Sequence, residues 1–219
     1  MKLQYHQKSF NLIRGVAEFT DKVFANLPAS VAEWYSLVNG KTLLEKYSNQ
    51  DVPLAPAEFE ISVFGNSELI VFMYENQGVY WWAFENCDNG DPPVYINVDP
   101  PTDNWIICCD TFSAFVYTRF FDYFHWHDEK LIVMGGGNPL NPNILETLRN
   151  EFSPEPVTYG RSGFTQFRFS HDDVKITIHD DGSQSDWFFS ADSQGALGKV
   201  LEQFKLSLEW YIPTKIGNE

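Results

Sequence analysis

Apolar residues recur along this chain at two different periods, and the switch between them divides it into helices and strands. From Phe10 to Phe24 the spacing of Leu12, Ile13, Val16, Phe19, Val23 and Phe24 predicts a helix, interrupted by Gly15. A clearer one follows, in which Val31, Trp34, Tyr35 and Val38 recur at i, i+3, i+4 and i+7. Pro28 suits its first position and Gly40 a left-handed cap at its end. Such a helix buries Trp34 and Tyr35 and exposes Glu33 and Ser36. After a loop through Pro53 and Pro56, the uninterrupted run Leu69-Ile70-Val71-Phe72-Met73 reads as a strand covered on both faces. Glu75 to Gly78 turns it back, with Gly78 supplying a positive φ, into Val79-Tyr80-Trp81-Trp82-Ala83-Phe84. Trp81 and Trp82 then point to opposite faces, so at least one is core. Asn89-Gly90 marks the next turn, and Val94–Val98 and Trp105–Cys109 continue the meander. Asp110 or Thr111 caps a helix carrying Phe112, Phe115, Val116, Phe120 and Phe124.

The second half has its own signals. Gly135-Gly136-Gly137-Asn138-Pro139 reads as a flexible break, and Asn141 as the cap of a helix containing Ile144, Leu145 and Leu148. Three strands are predicted at Phe164–Phe169, Val174–Ile178 and Trp187–Ser190, the middle one alternating cleanly. Asp180-Asp181-Gly182-Ser183 turns between the last two. A final helix places Leu197, Val200, Leu201, Phe204, Leu208 and Tyr211 on one stripe and stops before Pro213. The fold class is therefore α+β: an antiparallel or mixed twisted sheet with flanking helices, then a C-terminal β-meander with a helix. Residues 1–127 form the expected core domain, and 128–219 an extension packed on it or a small second lobe.

Length and composition narrow the class. With 219 residues, 43% of them hydrophobic and 16% aromatic, the chain has ample material for a packed core. No apolar run approaches the ~20 residues that span a bilayer, and the first residues lead into no signal-peptide core. A soluble, cytoplasmic protein without a membrane partner is the expectation. Cys87, Cys108 and Cys109 are an odd set with two adjacent members, which argues against a disulfide framework and for small buried thiols.

Charge changes the picture more. The net charge is −15, and from Tyr47 to Thr118 there is no Lys, Arg or His at all, against eleven acids from Asp51 to Asp110. This stretch carries a negative field. It excludes direct binding to a nucleic-acid backbone, which needs the opposite sign, and points to a basic partner.

Chemistry is harder to find. His125-Trp126-His127-Asp128-Glu129 offers alternating histidines on an extended segment but lacks the three or four ligands zinc normally takes. Asp172-Asp173 and Asp180-Asp181 lack calcium-loop spacing and suit turns. Gly160-Arg161-Ser162-Gly163 falls one residue short of a nucleophile elbow, and the triple glycine is not followed by Lys-Ser. No pair among the 30 acids is singled out for glycosidase chemistry. The expectation is a non-enzyme with no metal and no cofactor.

One ordered set of features resembles a known family. Leu27-Pro28, a helix and Asn39-Gly40 come first, then the polar turn ending at Gly78 before Trp82, then Asp91-Pro92-Pro93-Val94 and a Phe-rich helix after Trp105. This order, over roughly residues 10–125, is similar to the SUKH superfamily, also called the SMI1/KNR4 family. The resemblance implies structural roles for Leu27, Pro28, Asn39, Gly40, Gly78, Trp82 and Pro92. It further implies an immunity protein that neutralises a secreted polymorphic toxin, commonly a nuclease, or else a scaffolding regulator of the SMI1/KNR4 type. A small hydrolase or metal enzyme is the third reading. The acidic charge favours the first, with a basic toxin domain as partner, and the candidate contact residues are Glu75, Glu85, Asp88, Asp91, Asp99 and Asp103.

Overall fold

The computed structural model describes residues 2–48, 51–100, 102–127, 131–160, 163–204, 208 and 210–215. The chain divides into two compact units, one of residues 1–123 with 159–162, the other of 124–158 with 163–219. Both are α+β, each built on one six-stranded sheet.

The first unit opens with α1 (Gln7–Leu12), far shorter than the helix expected over residues 10–24. The chain leaves the helix because Arg14 takes a left-handed φ of 50°. Its N–H donates to the Asn11 carbonyl, and that of Gly15 to Phe10, closing a Schellman motif. Beyond it Val16 and Val23 are exposed, so the apparent helical stripe was not a buried face. Helix α2 (Ala29–Tyr35) has Pro28 as its N-cap and not as its first residue, so it begins one residue later than expected. Trp34 and Tyr35 are buried as predicted. Ser36 is also buried, against expectation, because its hydroxyl donates to the Ala32 carbonyl at 2.7 Å.

Gly40 does not cap α2. It opens a further helix, α3 (Gly40–Tyr47), which the sequence pattern does not predict. The need for glycine is a close approach instead: a Cβ at Gly40 would lie 2.3 Å from the Trp34 carbonyl oxygen.

The strands of this unit are β1 (Val52–Pro53), β2 (Glu60–Phe64), β3 (Ser67–Tyr74), β4 (Trp81–Glu85), β5 (Val94–Asn97) and β6 (Trp105–Cys109). The order is β1-β3-β4-β5-β6, with β2 also on β3, and every pair is antiparallel. A register shift between Val71 and Met73 inserts one residue, which turns both Phe72 and Met73 into the same core. Helix α4 (Phe112–His127) covers that face: Phe112 packs on Phe72 and Phe84, and Phe115 on Phe72 and Trp82. Thr111 caps it, accepting from the Ala114 N–H at 3.1 Å. The opposite face closes a smaller cluster of Leu69, Val71, Ala83 and Trp105. The sheet curls enough for the Trp105 indole on β6 to donate to Ser62 on β2, at 3.2 Å.

The second unit contains β7 (Leu131–Gly137), α5 (Pro142–Glu151), β8 (Ser153–Tyr159), β9 (Thr165–His171), β10 (Val174–Asp180), β11 (Ser185–Ala191), α6 (Gln194–Phe204) and β12 (Trp210–Lys215). Its sheet order is β12-β7-β11-β10-β9-β8. Two expectations fail here. Gly135-Gly136-Gly137 is no flexible break but the end of a central strand, with Gly135 paired to Trp187 on one side and Tyr211 on the other. Helix α6 stops at Phe204, and Tyr211 lies in β12, not on a helical stripe. Tertiary pairing against β7 overrides the helical spacing there. The three predicted strands and the Asn141 cap, which accepts from the Asn143 N–H at 2.9 Å, are present. Val133, Ile176, Ile178, Trp187 and Phe189 form the sheet side of the core, under Leu148, Leu197, Val200 and Phe204.

Candidate functional site

Every strand of the first sheet lies inside the stretch that carries no basic residue. Two of its acids nevertheless find cations brought by helices. Lys41 on α3 reaches Glu58 at 3.3 Å, and Arg119 on α4 reaches Asp51 at 3.7 Å. Glu58 is held below the usual carboxylate range, chiefly by the Ala55 backbone N–H and then by Lys41. Arg119 and Asp51 are both buried, and the guanidinium also stacks 4.5 Å from the Trp82 and Phe115 rings.

The six acids predicted for recognition divide into two kinds. Glu75 is spent on the β3–β4 turn, where its carboxylate accepts from the Gln77 N–H at 2.8 Å while Gly78 adopts φ 76°. Asp91 is spent on α4, accepting from the Ser113 N–H at 3.0 Å and hydroxyl at 2.5 Å, near the start of the helix. The other four face outward to different degrees. Asp88, Asp99 and Asp103 are exposed, and Glu85 is half-buried, accepting from the Ser67 hydroxyl at 2.5 Å. None of these four has an ion pair among the described residues. Glu60, outside that set of six, accepts from the Tyr74 hydroxyl. Burial, then that bond, pushes the phenol well above its usual range. Tyr95 is raised as well, by burial first and then by the charge of Glu85.

The residues of the ordered set from Leu27 to Pro92 differ in their surroundings, and Asn39 is exposed with no side-chain cap hydrogen bond. Pro28 and Pro92 are buried, Leu27 is half-buried, Asn39 stands at the start of α3, and Trp82 is fully buried under Phe115 and Arg119. Trp81, on the other face, packs edge-on to Tyr74 with ring centroids 5.4 Å apart.

The second unit gathers no comparable chemistry. His125 lies on α4, not on an extended segment, and is buried with Nδ1 3.1 Å from the Ser190 hydroxyl; Asp128 and Glu129 lie outside the described residues. Asp181 shapes its turn, accepting from Ser183 and Gln184 N–H groups, and Asp172 supplies a left-handed turn residue. Arg168 is buried on β9, its guanidinium donating to the Thr158 hydroxyl at 3.0 Å and the Gln166 side-chain carbonyl at 2.9 Å. A cavity of about 590 Å³ lies between α6 and the β9–β10 turn, lined by Glu151, His171, Asp173 and Lys199 among others. No group of three His, Cys, Asp or Glu among the described residues is placed to hold a metal ion, and no described helix is long and apolar enough to cross a membrane.

The feature that sequence reasoning missed is β2. Its alternation, Glu60-Ile61-Ser62-Val63-Phe64, is the available signal, carried by only five residues beside the stronger run at Leu69–Met73. Ile61 is 68% exposed, Val63 60% and Phe64 40%. No family model, curated protein or solved structure matches this chain.

Proposed function

We propose that this chain is a non-catalytic protein-binding module that takes a basic protein partner through the acidic first unit. In the SUKH-like reading, that partner is a secreted toxin domain and the chain is its immunity protein, acting in the cytoplasm. The observation that carries the proposal is the sheet from β1 to β6, which contains no cation of its own and leaves Glu85, Asp88, Asp99 and Asp103 without ion pairs among the described residues. A nuclease toxin presents a basic substrate cleft, and an acidic surface meeting it raises association rates by ~10- to 1000-fold at low salt. Blocking such a cleft needs an ordinary interface of roughly 1,600 Å² and no chemistry from the blocking protein.

Glu75 and Asp91 leave the recognition set, because each accepts a backbone N–H that shapes a turn or a helix start, whereas Glu85 accepts only from the Ser67 hydroxyl. The test is co-expression with the toxin module of an adjacent large secreted gene. The quadruple variant Glu85→Gln, Asp88→Asn, Asp99→Asn, Asp103→Asn should remain folded and lose protection of toxin-expressing cells. A folded quadruple variant that protects fully sinks the assignment of this surface.

A further inference from the structure

β2 is the outer strand of a sheet edge, and it is guarded unusually little. It pairs with β3 on one side only, from Glu60↔Val71 to Phe64↔Ser67, and no described strand lies on its other side. Sheet edges are normally blunted by charge, proline or a bulge, since an open row of backbone donors and acceptors invites another strand. Between Ile61 and Phe64 there is no charge, no proline and no register shift. Three of these four side chains are large, apolar and at least 40% exposed. Exposed apolar residues concentrated on one edge mark an interaction site.

We propose that β2 receives an extended segment of a basic protein, which joins the sheet as an additional strand; this rests on the proposed reading of a basic protein partner. The alternation of β2 dictates the pattern of that segment. Ile61 and Val63 project to one face, and Glu60, Ser62 and Phe64 to the other. Glu85 shares the second face but lies on β4, beyond β3, out of reach of a strand added outside β2. The Trp105 indole already occupies the Ser62 hydroxyl on the second face, so an added strand meets Ile61 and Val63 on one face and the Glu60 carboxylate with Phe64 on the other. Alternating apolar and Lys or Arg residues satisfy both. Charge also selects against a second copy of this chain, since two molecules of net charge −15 repel.

The probe is a blocked eight-residue peptide of alternating Lys and Val, titrated at low salt against the full chain, with amide hydrogen exchange mapping the contact. Expected are slowed exchange across residues 60–64 and at least tenfold weaker binding for three altered pairs. These are a peptide N-methylated along its pairing edge, a Glu-Val peptide, and the wild-type peptide against the variant Ile61→Thr with Val63→Thr. Threonine keeps strand propensity at these exposed positions, so the variant retains the fold. The proposal is overturned by absence of binding, by equal affinity for the N-methylated peptide, or by protection that maps to the 85–103 turns instead. It is also overturned if the chain alone dimerises through residues 60–64. Failure of toxin protection in cells with intact peptide pairing at β2 removes the immunity reading and leaves this one standing.

Discussion

The Arg119 guanidinium lies 4.5 Å from the centre of the Trp82 ring while its Nη1 sits 3.7 Å from Asp51. One buried cation thus joins α4, the central strand β4 and the segment leading into β1. The acidic strand region is anchored to its helical layer by a charge it does not itself carry. A buried pair of this kind adds little over a hydrophobic replacement, but removing one partner strands the other.

Asp51→Asn should therefore destabilise the first unit by about 3 kcal/mol, the lower end of the cost of breaking a buried pair. Urea unfolding measures it. An unchanged midpoint would show that Asp51 does not hold the cation.

Trp82→Ala removes a fully buried indole and the ring under Arg119. The expected loss is about 3–5 kcal/mol, a large share of the ~5–15 kcal/mol margin of a typical domain. Trp81→Ala, at a half-buried position, should cost clearly less. Equal losses would contradict the assignment of the two rings to different faces.

Gly40→Ala tests the close approach at the start of α3. The added methyl meets the Trp34 carbonyl oxygen, which is backbone and cannot swing aside. Overpacking of this sort costs roughly 1–3 kcal/mol. In an exposed helix the same change would instead stabilise. A raised melting temperature would refute the contact.

Burial lowers the proton affinity of His6, against weaker opposing effects from the Ser30 carbonyl, Glu33 and Asp91. The neutral ring donates from Nε2 to Ser30 at 2.9 Å and packs on Trp34 and Phe112. Because the folded value lies below the unfolded one, the unfolded chain binds the proton more readily. Stability from this residue is complete above about pH 6.5 and falls as pH drops through the lowered folded value. His6→Gln should flatten the stability profile between about pH 7.5 and 5.5, relative to wild type. Parallel profiles for the two proteins would discount His6.

Asp91→Ala removes the acceptor for both Ser113 bonds and should cost about 0.5–2 kcal/mol, as loss of a helix cap does. Asp88→Ala, exposed and without such bonds, should stay within ~0.5 kcal/mol of wild type. If both variants melt alike, Asp91 returns to the candidate recognition surface.

Local sequence pattern is enough to specify the fold class and much of the first meander. The Leu69–Met73 run, the Gly78 turn, the Trp82 strand and the Thr111-capped aromatic helix each carry their information within a few neighbouring residues. The same holds for the Asn141 cap and for the turn aspartates, whose side chains bond to the next two or three residues. Features that depend on partners distant in sequence emerge only when the chain is folded. Gly135 looks like a break until Trp187 and Tyr211 pair on either side of it. Tyr211 fits a helical stripe until β7 offers it a ladder. Gly40 looks like a cap until the Trp34 carbonyl is seen against it. The sum of charge was legible in the chain, but its allocation was not. Whether a carboxylate faces solvent or is occupied depends on which donor the fold brings within bonding distance, as Ser113 is brought to Asp91 and Arg119 to Asp51.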